Sequence, residues 1–259
     1  MANKQTAAIP AAGARSILDA ATALFAGDGF DAVSIADIAG KAGVCKANVF
    51  HHFSSKDDLY LAVMKEASAA HADYAEELYR MSCSSVDKVR MLIEFEIRNQ
   101  LDNRQSTRLM MREIADGNHA RVRKIARNVF QRNFTAVVSI FEQGRERGEF
   151  DSSVEPAAAA MLLSGATSFY FNCHEVLREL REASEMDTPE TYARHIAELV
   201  LSGIVPQAIA RKERIKTSSN SSGRSAGPEA AAGAACISDG RSARAKRARS
   251  AAKVSRMSR

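Results

Sequence analysis

The stretch from Ser34 to Lys56, SIADIAGKAGVCKANVFHHFSSK, constrains this chain more than any other. Ser34 is a good N-cap, and Asp37 stands three residues on, as a capping box requires. Ile35, Ile38, Ala39 and Ala42 repeat at helical spacing and give a first short helix one apolar face. Gly43 follows the last periodic residue, where a chain leaving a helix commonly needs positive φ. Val44 leads into a second element over Cys45–Phe53, long enough for about two turns at ~3.6 residues per turn. Two short helices joined by a tight turn form a helix-turn-helix, whose second helix lies in the DNA major groove.

The flanking segments supply the rest of a small core. Arg15–Ala26 is expected to be a helix with Ile17, Leu18, Ala21, Leu24 and Phe25 on one face, stopped at Gly27–Gly29. After Phe53, Ser54 or Ser55 can cap a longer helix to about Arg80, with Asp57 and Asp58 favourably placed in its first turn. From there the apolar period stays helical. Val86–Ile97, Arg104–Ala115 and Val122–Phe141 read as helices, the last closed by Gly144 or Gly148. Pro156 and Pro189 each suit the first turn of a further helix. No useful strand alternation occurs, so the expected fold is all-α. It has a flexible arm (1–12), a three-helix helix-turn-helix domain (13–60), a larger helical domain (61–210), and a disordered basic tail (211–259).

Charge is unevenly placed along the 259 residues. The formal net charge is +5, yet residues 211–259 hold 13 Lys and Arg against 3 Asp and Glu, leaving 23 against 28 elsewhere. The body is therefore acidic, and any DNA affinity there depends on where its cations sit. The Ser-, Ala- and Gly-rich tail cannot bury enough apolar surface to order itself. It carries two readings: loose phosphate binding, or a solubilising extension. No apolar run approaches the ~20 residues of a membrane span. The first 15 residues lack a signal-peptide core, so a cytoplasmic protein is expected. Cys45, Cys83, Cys173 and Cys236 form no CxxC pair, which speaks against a zinc site or disulfide framework. The absence of GxSxG, a phosphate-cradling glycine loop, HExxH and a readable Cys/His dyad leaves no enzyme reading. No cofactor and no metal are expected.

The second short helix presents Lys46, Ala47, Asn48, His51 and His52 near its exposed face. Lys46 can donate to guanine O6 or N7, and His51 can hydrogen-bond or pack on a base edge. Ser34 with its neighbouring backbone N–H groups, and Lys56, can meet phosphates. For His52 a packing role weighs slightly ahead of DNA contact. Cys45, at the helix start, is a small residue in the N-cap position.

The pattern G-F…S-I-x-D-I-A-x-x-A-G-V…F-x-H-F-x-x-K-x-x-L, running without a gap through about residues 15–65, resembles the N-terminal domain of the tetracycline-repressor (TetR/AcrR) family. The resemblance implies that Ser34, Lys46, Ala47, Asn48, His51, His52 and Lys56 contact DNA, with Val49 and Phe53 in the core. This chain departs at Phe50, where related proteins carry a Tyr whose hydroxyl meets a phosphate. The resemblance further implies a helical second domain that binds a small molecule. Met and Phe at helical spacing are ordinarily core, but some would then face a ligand. Met110, Arg112, Phe130, Phe134, Phe169 and His174 are the candidates, drawn from a wider set that includes Met111, Phe141, Phe171, Arg98, Asn99, Glu113 and Asn133. Small residues at Ala157–Ala160, Ser164–Ala166 and Gly203 would let the last two helices pack closely, either within the chain or, the favoured reading, across a two-fold axis. The expected function is a homodimeric regulator, a repressor released from a palindromic double-stranded operator by a small apolar or amphipathic effector. Two other readings stand beside it: a non-specific DNA-packaging protein using its basic tail, and a helical small-molecule-binding protein with weak DNA contact.

Overall fold

A computed structural model describes residues 12–116, 119–186 and 188–206, all in helices and their connections. The expected tail and most of the expected arm lie outside the described residues. The helices are α1 (Ala12–Asp28), α2 (Ile35–Ala42), α3 (Lys46–His52), α4 (Lys56–Arg80), α5 (Ser85–Asp102), α6 (Arg104–Asp116), α7 (His119–Ile125), α8 (Gln131–Glu146), α9 (Pro156–Glu179) and α10 (Pro189–Ile204).

Local chemistry accounts for the boundaries of the first elements. The Ser34 Oγ accepts from the Asp37 N–H at 3.2 Å, and the Ser34 N–H donates to the Asp37 carboxylate at 2.9 Å. This reciprocal pair satisfies donors that the start of α2 would otherwise leave orphaned. At its end, Gly43 takes φ 68°, and the Val44 N–H reaches back to the Ala39 carbonyl at 3.0 Å. The α3 helix starts at Cys45, whose side chain makes no capping bond. Ser55 caps α4, its Oγ accepting from the Asp58 N–H at 3.0 Å. Pro156 and Pro189 occupy the first turns of α9 and α10 as expected.

Two hydrophobic clusters hold the molecule, and α4 belongs to both. Its first half places Leu59, Tyr60, Val63 and Met64 with Ile17, Leu18, Phe25, Ile38 and Val49. Its second half places Ala75 and Leu78 with residues of α5, α8, α9 and α10. At ~1.5 Å per residue, its 25 residues make a strut of about 37 Å. The sequence-based division at residue 60 thus falls inside a continuous helix. The first cluster also takes Leu109, Ile125 and Val129 from beyond that division.

The run Val122–Phe141 is not one regular α-helix. A π-helical turn, Ala126–Phe130, separates α7 from α8, and the Gln131 N–H bonds the Ala126 carbonyl five residues back. One such turn rotates the following side chains relative to the preceding ones. Ile125 and Val129, before or within it, face the first cluster, whereas Ala136, Val137, Ile140 and Phe141, after it, face the second. Gly148, with φ 68°, rather than Gly144, ends the run. Gly144 lies within α8, where its missing side chain admits the ring of Phe150.

Candidate nucleic-acid interface

Helix α3 is anchored by Val49, fully buried at 0% exposure, and held against α2 by the tight turn at Gly43–Cys45. One buried residue in a seven-residue helix leaves the opposite face to water. Lys46, Ala47, Phe50 and His51 are exposed there, a grouping that successive turns of an α-helix impose on positions three and four apart. The hydrogen bonds from Ser34, with a contribution from the Lys46 ammonium, hold the Asp37 carboxyl below the usual carboxylate range.

The other expected contacts sit differently. Asn48 and His52, four residues apart, are half-buried along the seam with α1. A side chain built at Gly13 would stand 3.5 Å from His52 Nε2 and 3.8 Å from Asn48 Oδ1. The Asn48 Oδ1 is buried without a hydrogen-bond partner. Ser34 is exposed at the start of α2, but its hydroxyl is engaged with Asp37. The Lys56 ammonium stands 4.3 Å from the centre of the Phe30 ring.

Phe30 leads into a junction between α1, α4, α6 and α7 that the sequence did not announce. The Arg121 guanidinium lies 4.6 Å from the Phe30 ring centre and donates to both Glu113 oxygens, at 2.8 and 3.0 Å. Tyr60 donates its hydroxyl to the same carboxylate at 2.7 Å. The Arg112 guanidinium donates to the Gly27 carbonyl at 3.0 Å, so this ligand candidate tethers α6 to the end of α1. A cavity of about 490 Å³ opens beside these groups, lined by Phe25, Phe30, Tyr60, Leu109, Glu113 and Arg121 among others.

The remaining ligand candidates are not brought together. Met110 and Phe130 pack against the first cluster, and Phe134 against the second. His174 is buried, its Nδ1 3.0 Å from the Phe171 carbonyl and its Nε2 3.4 Å from Arg104. Phe169 is 52% exposed and lies outside either cluster. With Leu162 and Val176, and Leu180 just past the helix end, it forms a stripe along the outer side of α9, beside the exposed Gly165.

A second cavity, about 430 Å³, lies where α1, α4, α5 and α6 meet, with Arg15, Glu66, Asn99 and Asn103 among its lining. Behind Asn99 lies a polar pair within the core. His71 Nδ1 is 2.5 Å from Glu96 Oε2, and His71 Nε2 is 2.8 Å from Asn99 Nδ2. Its signal was in the sequence: His71 continues the apolar register Tyr60, Met64 and Leu78, and Glu96 continues that of Val89 and Leu92. Among the described residues no group of three or more His, Cys, Asp or Glu is arranged to hold a metal, and no helix is long and apolar enough to cross a membrane.

Comparison with known proteins agrees with this arrangement. Residues 17–63 match the description "Bacterial regulatory proteins, tetR family", and residues 86–200 match "Tetracyclin repressor-like, C-terminal domain". The chain is 27% identical over 149 residues to the A-factor receptor protein of Streptomyces griseus, a match covering 58% of this chain and half the length of that relative. It is 24% identical over 154 residues to the HTH-type transcriptional regulator AqdR of Rhodococcus erythropolis, covering 60% of this chain and 72% of that one. Among solved structures, the fatty acid degradation regulator FadR from Bacillus halodurans aligns with a TM-score of 0.64 at 16% identity, over 75% of this chain and 97% of the other. FadR from Bacillus subtilis, in complex with stearoyl-CoA, aligns with 0.62 at 18% identity, over 73% and 98%. A complex of SmeT with triclosan aligns with 0.63 at 18% identity, over 76% and 93%. At these identities the structural likenesses show the fold. Together with the two sequence matches, which cover the helix-turn-helix and the helical domain in turn, they establish that this chain belongs to the TetR family of bacterial regulatory proteins.

Proposed function

We propose that this protein is a cytoplasmic transcriptional repressor that binds a palindromic operator as a homodimer and leaves it when a small apolar or amphipathic effector binds the helical domain. The observation that carries the reading is the exposed surface of α3. Lys46, Ala47 and His51 stand together on a helix whose other side is locked by Val49. Ser34 and Lys56 are proposed to meet the phosphates on either side. Asn48 and His52, half-buried on the seam with α1, are proposed to hold α3 in place for that contact and to meet DNA only weakly.

Two such surfaces must enter successive major grooves, about 34–36 Å apart, which one subunit cannot do. The apolar stripe on α9 supports a two-fold contact between subunits. An effector acts only by its differential affinity for the DNA-competent spacing and some other spacing. The continuous α4 and the Tyr60–Glu113–Arg121 junction are the proposed lever. An apolar effector accords with the stearoyl-CoA and triclosan bound by two proteins of the same fold. No catalysis is invoked.

Selection of bound duplexes from random DNA, followed by footprinting, tests the reading. A two-fold symmetric sequence is expected, bound at least a thousandfold more tightly than scrambled DNA at moderate salt, on the order of a specific interaction. Equal affinity for both would point to non-specific binding and overturn the proposal.

A further inference from the structure

Phe50 belongs to neither hydrophobic cluster of the protein. It is 52% exposed and stands outside the hydrophobic cluster that holds α1–α4, including the partly buried residues at its border. Among the described residues up to the start of α4, it is the one large apolar side chain left exposed. Its direction follows from helix geometry: a helical side chain leans over the turn N-terminal to its own Cα. The Phe50 ring therefore covers the turn that carries Lys46 and Ala47, the end of the helix that approaches base edges.

The chemistry of the ring narrows what it can meet. It has no donor, so placing it against a phosphate would strip hydration from an anion and return no hydrogen bond. The major groove offers one apolar feature, the C5-methyl group of thymine. Ala47 presents a second methyl on the same face. We propose that Phe50, with Ala47, forms an apolar notch that reads a thymine methyl in each operator half-site. This inference rests on the regulator reading above.

The test uses the full chain and the operator obtained by selection. Each thymine is replaced singly by deoxyuridine, which removes the C5-methyl and leaves the hydrogen-bonding edge intact. One position per half-site is expected to weaken binding about fourfold, and about 16-fold when changed in both halves, the effect of one buried methyl each. In Phe50→Ala that sensitivity should vanish, the variant binding thymine and uracil duplexes alike. Phe50→Tyr, which keeps the ring, should retain it. If Phe50→Ala weakens every duplex equally and leaves deoxyuridine sensitivity unchanged, the ring acts on the DNA backbone and the inference is wrong. Insensitivity at every thymine would also overturn it, while leaving the regulator reading intact. If selection yields no symmetric sequence, the regulator reading fails first and takes this inference with it.

Discussion

Tyr60 on α4 and Glu113 on α6 are joined by a 2.7 Å hydrogen bond in a site where Glu113 is 4% exposed and Tyr60 3%. This contact ties the helix that leaves the DNA-binding core to the helical domain. Glu113 also receives Arg121, whose side chain is 13% exposed. Removing a buried carboxylate strands the groups that pointed at it, so Glu113→Ala should lower stability by about 3–5 kcal/mol. Tyr60→Phe removes one donor while Arg121 still serves the carboxylate, and should cost about 1 kcal/mol. A double-mutant cycle by urea denaturation should give a coupling of about 0.5–3 kcal/mol. Strict additivity would mean that the two residues do not sense each other.

Gly144 is a case where two effects oppose. Alanine in a helix interior is favoured over glycine by ~1 kcal/mol. At this position, however, the added methyl would overlap the Phe150 ring and stand 2.9 Å from Ser85 Cβ. Phe150 is 2% exposed and cannot swing into solvent without loss of core. Overpacking costs about 1–3 kcal/mol and should win, so Gly144→Ala is expected to lower the thermal midpoint. Gly40→Ala in α2, with nothing within 4 Å of the new methyl, should raise it. The same sign for both would show that propensity alone decides.

The elements near the recognition helix were legible because their signals are local. The Ser34–Asp37 box, the turn at Gly43 and the Ser55 cap each depend on residues within five positions of one another, and each formed where expected. What was not legible depends on partners far along the chain. The π-helical turn at Ala126–Phe130 lets one run face two cores, and a periodicity count cannot say that a run must change cores. Lys88 is fully buried because its ammonium finds distant partners, donating to the Tyr79 carbonyl at 2.9 Å and to Gln143. The ligand candidates are spread over both clusters and the outer side of α9 for the same reason. A Met or Phe at helical spacing marks a buried face without naming what it faces, and Phe169 faces outward.

The His71–Glu96 pair should make stability depend on pH. Burial alone would lower the His71 pKa, but Glu96, through its charge and hydrogen bond, more than offsets this and raises it above the ordinary 6.5. A histidine whose folded-state pKa is raised contributes stability in full below its unfolded value, and that contribution is lost as pH rises through the folded value. The wild type should therefore lose stability relative to His71→Gln as pH is taken from about 6 upward past neutrality. Thermal midpoints of both across pH 5.5–9, roughly the span in which a histidine titrates, would check this. A constant difference across that range would contradict a protonated pair.

Phe169 offers a test of self-association that leaves the fold alone. It is half-exposed and belongs to neither core, so Phe169→Arg should change the stability of a subunit by no more than about 0.5 kcal/mol. If the α9 stripe is covered by a second copy, the same change buries an unpaired charge at the two-fold contact, counted twice, and costs several kcal/mol of association. Analytical ultracentrifugation should show a dimer for the wild type and a single subunit for the variant. A dimer of unchanged affinity would place the contact elsewhere.

The surface of α3 divides into residues that should affect DNA and residues that should affect folding. Lys46 and His51 are exposed, so Lys46→Ala and His51→Ala should leave the thermal midpoint within about a degree or two of wild type. Each should weaken operator binding by about 1–3 kcal/mol, the worth of a base contact, or roughly 5- to 150-fold. Asn48 should behave in the opposite way. Its carbonyl oxygen is buried beside α1 without a partner, and a buried acceptor left unpaired costs about 1–3 kcal/mol. Asn48→Ala removes that penalty together with the polar group, so it should hold or raise stability while operator affinity stays within about threefold of wild type, less than one base contact. Electrophoretic mobility shifts read beside denaturation curves separate the two classes. Loss of operator binding in Asn48→Ala with unchanged stability would mean that this side chain turns outward to the DNA, and the division of the helix between groove and seam would have to be redrawn.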